Sequence, residues 1–187
     1  MAIKVWTRRP EAEQRAFQPE TSVRPITTPP SDLEELKTNG NSFTFDAFTV
    51  EDAWVLGNLL RSRLLPLPAA TVISIALANN SQVIFQCVTG SGVMPDNETW
   101  VQRKRNTVMR WGCSTWFMHC KYDGDEAAFK AKFGMSEDQA SKYSIHGGAI
   151  PIHVRGVEGV VAVVVVSGLK QHEDHGVIAD VIRENWQ

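Results

Sequence analysis

Seven consecutive apolar residues, Val160-Val161-Ala162-Val163-Val164-Val165-Val166, leave this chain few folds to choose from. The run is almost entirely β-branched and has no polar alternation. That pattern predicts a strand covered on both faces, the central strand of a sheet. Ser167-Gly168-Leu169 break it, and Lys170-Gln171-His172-Glu173-Asp174-His175 crowd polar groups onto the start of a helix. The helix continues through Val177, Ile178, Val181 and Ile182 to about Asn185. A buried strand that ends in a glycine turn and delivers polar groups to a helix start is one way to build a binding site. It is also an ordinary way to end a strand.

The remaining pattern fits a sheet around that strand. Residues 1–30 hold Pro10, Pro19, Pro25, Pro29 and Pro30 among mixed charges with no apolar period, which predicts a flexible N-terminal tail. An arm laid on a neighbouring subunit, anchored by Trp6 and Phe17, is the alternative. The folded domain then spans 31–187. Ser31 to Leu36 reads as a short capped helix, and Ser42-Phe43-Thr44-Phe45 as a strand. Thr49 and Asp52 form a capping-box pattern before a helix ended by Pro66 and Pro68. Val72–Leu77 and Gln82–Val88 flank Ala78-Asn79-Asn80-Ser81, a hairpin. A long helix starts at Pro95, and Gly112 to Cys120 either leaves it or continues it. Two short surface helices follow over 125–133 and 136–142. Gly147 to Val154 reads as a strand, with Pro151 suggesting an edge or a bulge. The order is strand, helix, two strands, helix, two strands, helix. It predicts an α/β (α+β) fold with an antiparallel sheet of about five strands covered by helices.

Composition excludes more than it assigns. A formal net charge of −2 gives no global attraction to nucleic acid. No apolar run approaches the ~20 residues a membrane helix needs, so no membrane insertion is expected. The first residues lack the apolar core of a signal peptide. The three cysteines, Cys87, Cys113 and Cys120, have no Cys-x-x-Cys spacing and point to reduced thiols and a cytoplasmic protein. Six tryptophans suggest a wide core, aromatic pockets or a subunit interface. Thr89-Gly90-Ser91-Gly92 has no Lys-Ser/Thr sequel and is not a phosphate loop.

Three places carry candidate chemistry. On the long helix, Trp100, Val108 and Trp111 share a face with Lys104 at its centre; Arg103 and Arg110 lie to one side and Arg105 to the other. A lysine there snorkels, forms a structural ion pair, or receives an anion, a substrate or a partner. Arg103 and Arg105 taken alone read as a solvated face. His146 precedes Gly147 and Gly148, which permit close backbone approach. With Asp174 or His175 it would make an acid–base pair if the two converge. Ligand-binding candidates are therefore Trp100, Arg103, Lys104, Gly147 and Gly168; catalytic candidates are His146, Asp174 and His175. His172 and His175 share a helical face at i, i+3, yet no third ligand is visible, and no metal is assigned. Cys113 and His119 read as a core cysteine and a surface histidine, with a thiol–imidazole pair as the alternative.

Trp100-Val101-Gln102-Arg103-Lys104, His146-Gly147-Gly148 and Ser167-Gly168-Leu169-Lys170-Gln171-His172-Glu173-Asp174-His175 together resemble the HbpS-like "heme-degrading domain" family of bacteria and fungi, related to GlcG and to the C-terminal domain of PduO. The similarity runs from about Leu33 to the C-terminus. Cys113 and His119 depart from the family pattern. The resemblance implies a profilin-like α/β/α sandwich and homo-oligomers built from dimers. It implies no agreed reaction, and no cofactor beyond heme, which enters by resemblance only. Three functions follow as expectations. The first is an oligomeric binder of a small molecule, heme or an anionic metabolite, between Arg103/Lys104, His146 and the Asp174/His175 turn. The second is an isomerase, lyase or cyclase using acid–base chemistry in the same pocket. The third is an interaction scaffold with protein partners, since a fungal branch is associated with delivery of tail-anchored membrane proteins.

Overall fold

The computed structural model describes residues 3–187. Its elements, in chain order, are β1 (Val5–Trp6), α1 (Ala12–Ala16), α2 (Leu33–Thr38), β2 (Phe43–Phe45), α3 (Val50–Leu64), β3 (Val72–Leu77) and β4 (Val83–Val88). There follow α4 (Pro95–Trp111), α5 (Thr115–Lys121), α6 (Glu126–Lys132), α7 (Glu137–Ala140), β5 (Ala149–Val154), β6 (Ala162–Ser167) and α8 (Gln171–Asn185). The strands form one sheet in the order β1-β2-β5-β6-β3-β4.

The valine run takes the inner place it predicts. β6 pairs antiparallel with β3 on one side and β5 on the other, and all six of its residues are buried. Period-two geometry sends Val164 and Val166 to the α3/α8 face, where they meet Ile73, Ile150 and Ile152. Val163 and Val165 go to the α4 face with Val101 and Val108. Helices on both faces give the expected α/β class. Val160 and Val161 fall in the connection before β6 rather than in the strand.

Two expectations about the sheet change. It has six strands, and it is mixed: β1 runs parallel to β2, and β2 parallel to β5. Pro151 lies in an inner strand, not at an edge. It stands opposite Val163, and the ladder to β2 starts only at Ile152, so the missing N–H falls before that ladder begins.

The stretch expected as a tail is laid on the domain. Met1 and Ala2 lie outside the described residues, but β1 adds to the sheet edge, and Thr7 exchanges backbone hydrogen bonds with Gln187. Ala12 and Ala16 enter the main core. Arg63 on α3 is 2% exposed, and its Nη2 donates to the carbonyls of Arg24 and Pro25. Proline content and mixed charge hid this, because the anchors lie in α3 and α8, far away in sequence.

The helix ends follow their capping chemistry. Thr49 and Asp52 complete the reciprocal capping box. Gly112, at φ +65°, ends α4, and Ser114 caps α5, so the chain leaves the long helix there. No helix is long and apolar enough to cross a membrane among the described residues.

Candidate functional site

The inward face of α4 carries Val101, Lys104, Arg105, Thr107 and Val108. Trp100 and Trp111, expected on that face, flank it instead. Lys104 is 3% exposed, and its Nζ lies 2.9 Å from Asp174 Oδ2 and 3.1 Å from the Val166 carbonyl. The other carboxylate oxygen, Oδ1, accepts from the Leu169 N–H at 2.9 Å. Burial pushes the Asp174 carboxyl up, against the pull of Lys104 and of the Leu169 and Gly168 N–H groups. Every strong partner here is protein. The pair ties α4 to the β6–α8 turn.

Gly148 makes the pair possible. At φ +116° it suits glycine, and a Cβ there would stand 2.7 Å from both Lys104 Nζ and Asp174 Cβ. Gly147 is closed in the same way by the Gln171 carbonyl and, at 3.0 Å, by the Trp116 ring. Gly168 approaches Ala70 and Thr71 of the adjoining chain segment. All three glycines serve close protein packing.

His146 turns the other way, outward. Its Nδ1 lies 3.3 Å from Glu126 Oε1 and 3.2 Å from Ser144 Oγ, and its ring meets Trp100 edge-on at 5.0 Å. Partial burial lowers its pKa first; Glu126 pulls the other way, and Lys104 and Arg103 add to the lowering. The ring is therefore neutral at pH 7. Among the described residues the ring's hydrogen-bond partner is Ser144 Oγ at Nδ1, which leaves Nε2 for a ligand or a proton. Arg103 sits beside it. Its Nε donates to the Tyr143 carbonyl at 2.9 Å, and its guanidinium lies 4.7 Å from the Trp100 ring centre. Both partners are neutral, so the charge stays available. Arg103, Glu126, Phe129, Lys130, Tyr143 and Ser144 line an adjoining cleft of about 350 Å³.

His175 does not join this group. It is 0% exposed, and neither ring nitrogen completes a hydrogen bond. Burial first, then Arg183, pushes its pKa down to about 3; the facing Gly40 backbone favours the charged form but does not offset burial. His175 is thus no acid or base at neutral pH. The expected three-way convergence splits in two: a sealed Lys104–Asp174 pair and, across the His146-Gly147-Gly148 turn, a surface cleft. Asp174 is the partner of Lys104 and not of His146.

Other side chains also depart from expectation. Arg105, read as solvated, is buried and donates from Nη2 to Ser74 Oγ at 2.7 Å. Ser74 in turn reaches Gln86, which reaches Glu98. The signal was a polar residue in the middle of each hairpin strand. Glu126 and Ser144 escaped the reading altogether; nothing in their spacing links Glu126 to His146. His119 stacks on Trp116 at 4.9 Å, while Cys113 packs beside the Met118 and Phe129 cluster with its thiol pushed up to about 11 by burial. Among the described residues no group of three or more His, Cys, Asp or Glu is placed to hold a metal ion.

A family model described as "Haem degrading protein HbpS-like" matches residues 48–183. The chain belongs to the HbpS-like family. A UPF0303 protein of Streptomyces avermitilis is 35% identical over 159 residues, covering 83% of this chain and 91% of that protein. A UPF0303 protein of Rhizobium meliloti is 33% identical over 154 residues, covering 82% and 90%. Among solved structures, the Ybr137w protein superposes with a TM-score of 0.73 at 33% identity, covering 82% of this chain and 87% of that one. HbpS itself, as a double mutant from Streptomyces reticuli, has a TM-score of 0.54 at 17% identity, covering 73% and 85%. That last likeness speaks for the HbpS-like fold alone. The family match starts at residue 48, so β1, α1, α2 and β2 lie outside it.

Proposed function

We propose that this HbpS-like chain is a cytoplasmic, oligomeric small-molecule-binding protein, built from dimers, whose ligand is an anionic metabolite held at Arg103, where the cleft adjoins Trp100 and His146. The observation that carries the reading is Arg103. Its guanidinium is fixed over the Trp100 ring by the Tyr143 carbonyl and has a neutral imidazole beside it. A fixed guanidinium over an aromatic face is suited to a planar carboxylate. Lys104 supports the site from below and does not touch the ligand, because Asp174 already occupies it.

The family description names haem, and the residues of this cleft do not fit it. At about 350 Å³ the cleft is at the small end of ligand cavities, short of what a tetrapyrrole macrocycle needs. The ligand proposed here is a smaller anion.

One contact favours a second reading, acid–base catalysis at the same cleft. Glu126 Oε1, 3.3 Å from His146 Nδ1, would stabilise the imidazolium formed when Nε2 takes a proton. Catalysis would then rest on His146 alone among the residues first considered. Native mass spectrometry of freshly purified protein tests the binding reading. A retained small-molecule adduct and an even subunit number support it. A bare chain at every charge state, with a macromolecule co-purifying instead, favours the scaffold reading.

A further inference from the structure

A second, wider groove of about 890 Å³ opens at the β1–β2 end of the sheet, away from the cleft just described. Lys4, Lys37, Arg155 and Arg183 line it, and among the described residues no aspartate or glutamate does. Its apolar floor includes Trp6, Phe43 and Val157, the last of these exposed. Three of the cations have other attractions: Lys37 pairs with Glu34 at 2.6 Å, Arg155 pairs with Asp46, and Lys4 lies 3.5 Å over the Trp6 ring.

Arg183 is different. It is half-buried, and its Nη2 donates to the neutral side-chain oxygen of Asn39. Burial draws its pKa down, with Asp180 of the same helix pulling back. Next to it stands Gly40, at φ +111°, where a Cβ would be 3.4 Å from Arg183 Nη2 and 3.5 Å from His175 Nε2. Both nitrogens lie at contact distance from the position a Cβ at residue 40 would take. His175 is fully buried with no partner at either ring nitrogen. A half-buried guanidinium whose side-chain acceptor is a neutral amide has no carboxylate to balance its charge.

We propose that this groove binds an amphipathic organic anion, with a carboxylate or sulfonate head at Arg183 beside Gly40 and an apolar body over Trp6, Phe43 and Val157. Charge complementarity selects the head, and the mixed floor selects the body. The site is independent of Arg103 and His146.

The test is fluorescence titration of the full chain with 8-anilinonaphthalene-1-sulfonate, followed by displacement with octanoate. Saturable binding displaced by octanoate is expected, weakened tenfold or more by Arg183→Gln and by Val157→Glu. Lys132→Gln, exposed on α6, should bind as the parent chain does. If Arg183→Gln does not fold, Val157→Glu decides alone, since its side chain is exposed. Unchanged affinity in the folded groove variants overturns the proposal, as does dye binding that octanoate cannot displace. A drop in subunit number for Val157→Glu by native mass spectrometry also overturns it, because a second copy of the chain would then be what covers the groove.

Discussion

Lys104 Nζ and Asp174 Oδ2 lie 2.9 Å apart with each side chain only 3% exposed, and they join the middle of α4 to the first turn of α8. Removing one partner leaves the other buried without its counter-charge, which costs about 3–5 kcal/mol. Lys104→Met should therefore lower the unfolding free energy by that order and bring the urea midpoint down with it. Lys104→Met combined with Asp174→Leu should recover part of the loss. A midpoint unchanged in the single variant would show that the pair is not what holds the turn.

Gly148 tests the same packing from the backbone side. Gly148→Ala places a methyl against Lys104 and Asp174 at a positive φ, whereas Gly159→Ala, at φ +81°, meets nothing within 4 Å. The first should cost about 3 kcal/mol or abolish folding. The second should cost about 1 kcal/mol, the conformational term alone. Thermal melts of the two variants separate contact from backbone strain.

His175 makes stability depend on acid. Its folded pKa, about 3, lies below its ordinary value of 6.5, so the unfolded chain binds more protons between those limits. Stability is then complete above about pH 6.5 and falls as pH drops toward 3. By pH 4.5 the imidazole should have removed about 2–3 kcal/mol. His175→Leu should flatten that limb of a urea-midpoint profile measured from pH 7.5 to 4.5. An equally steep acid limb in the variant would place the titrating group elsewhere.

Much of the architecture was legible because it rests on local chemistry. The valine run specified an inner strand, Thr49 and Asp52 specified a helix start, and Pro95 opened α4, while its end at Gly112 stayed open until the positive φ there was seen. The sheet edge was not legible: β1 is two residues long, and its support comes from Trp186 and Gln187 at the other end of the chain. Half of the site was legible too. Helical spacing put Lys104 inward, and His146-Gly147-Gly148 did mark a close approach. Which carboxylate each cation would meet depended on tertiary placement. Lys104 found Asp174, and His146 found Glu126, a residue on a surface helix with no motif around it.

The arm over 17–30 gives a further check. Arg63 holds the carbonyls of Arg24 and Pro25, and Arg24 pairs with Glu20 and Glu184 at the surface. Arg63→Met should loosen this stretch, and the glutamate-specific protease Glu-C should cut after Glu20 several-fold faster than in the parent chain. Equal cleavage rates would mean that α1 and β1 hold the arm without Arg63.

Native mass spectrometry of the parent chain beside Arg103→Gln bears most directly on the proposed binding role. Gln keeps the packing but cannot offer a cation to a carboxylate. The expected result is a small-molecule adduct on the parent chain that Arg103→Gln loses at unchanged subunit number and melting temperature. An adduct of the same mass and occupancy on both would contradict the placement of the ligand at Arg103.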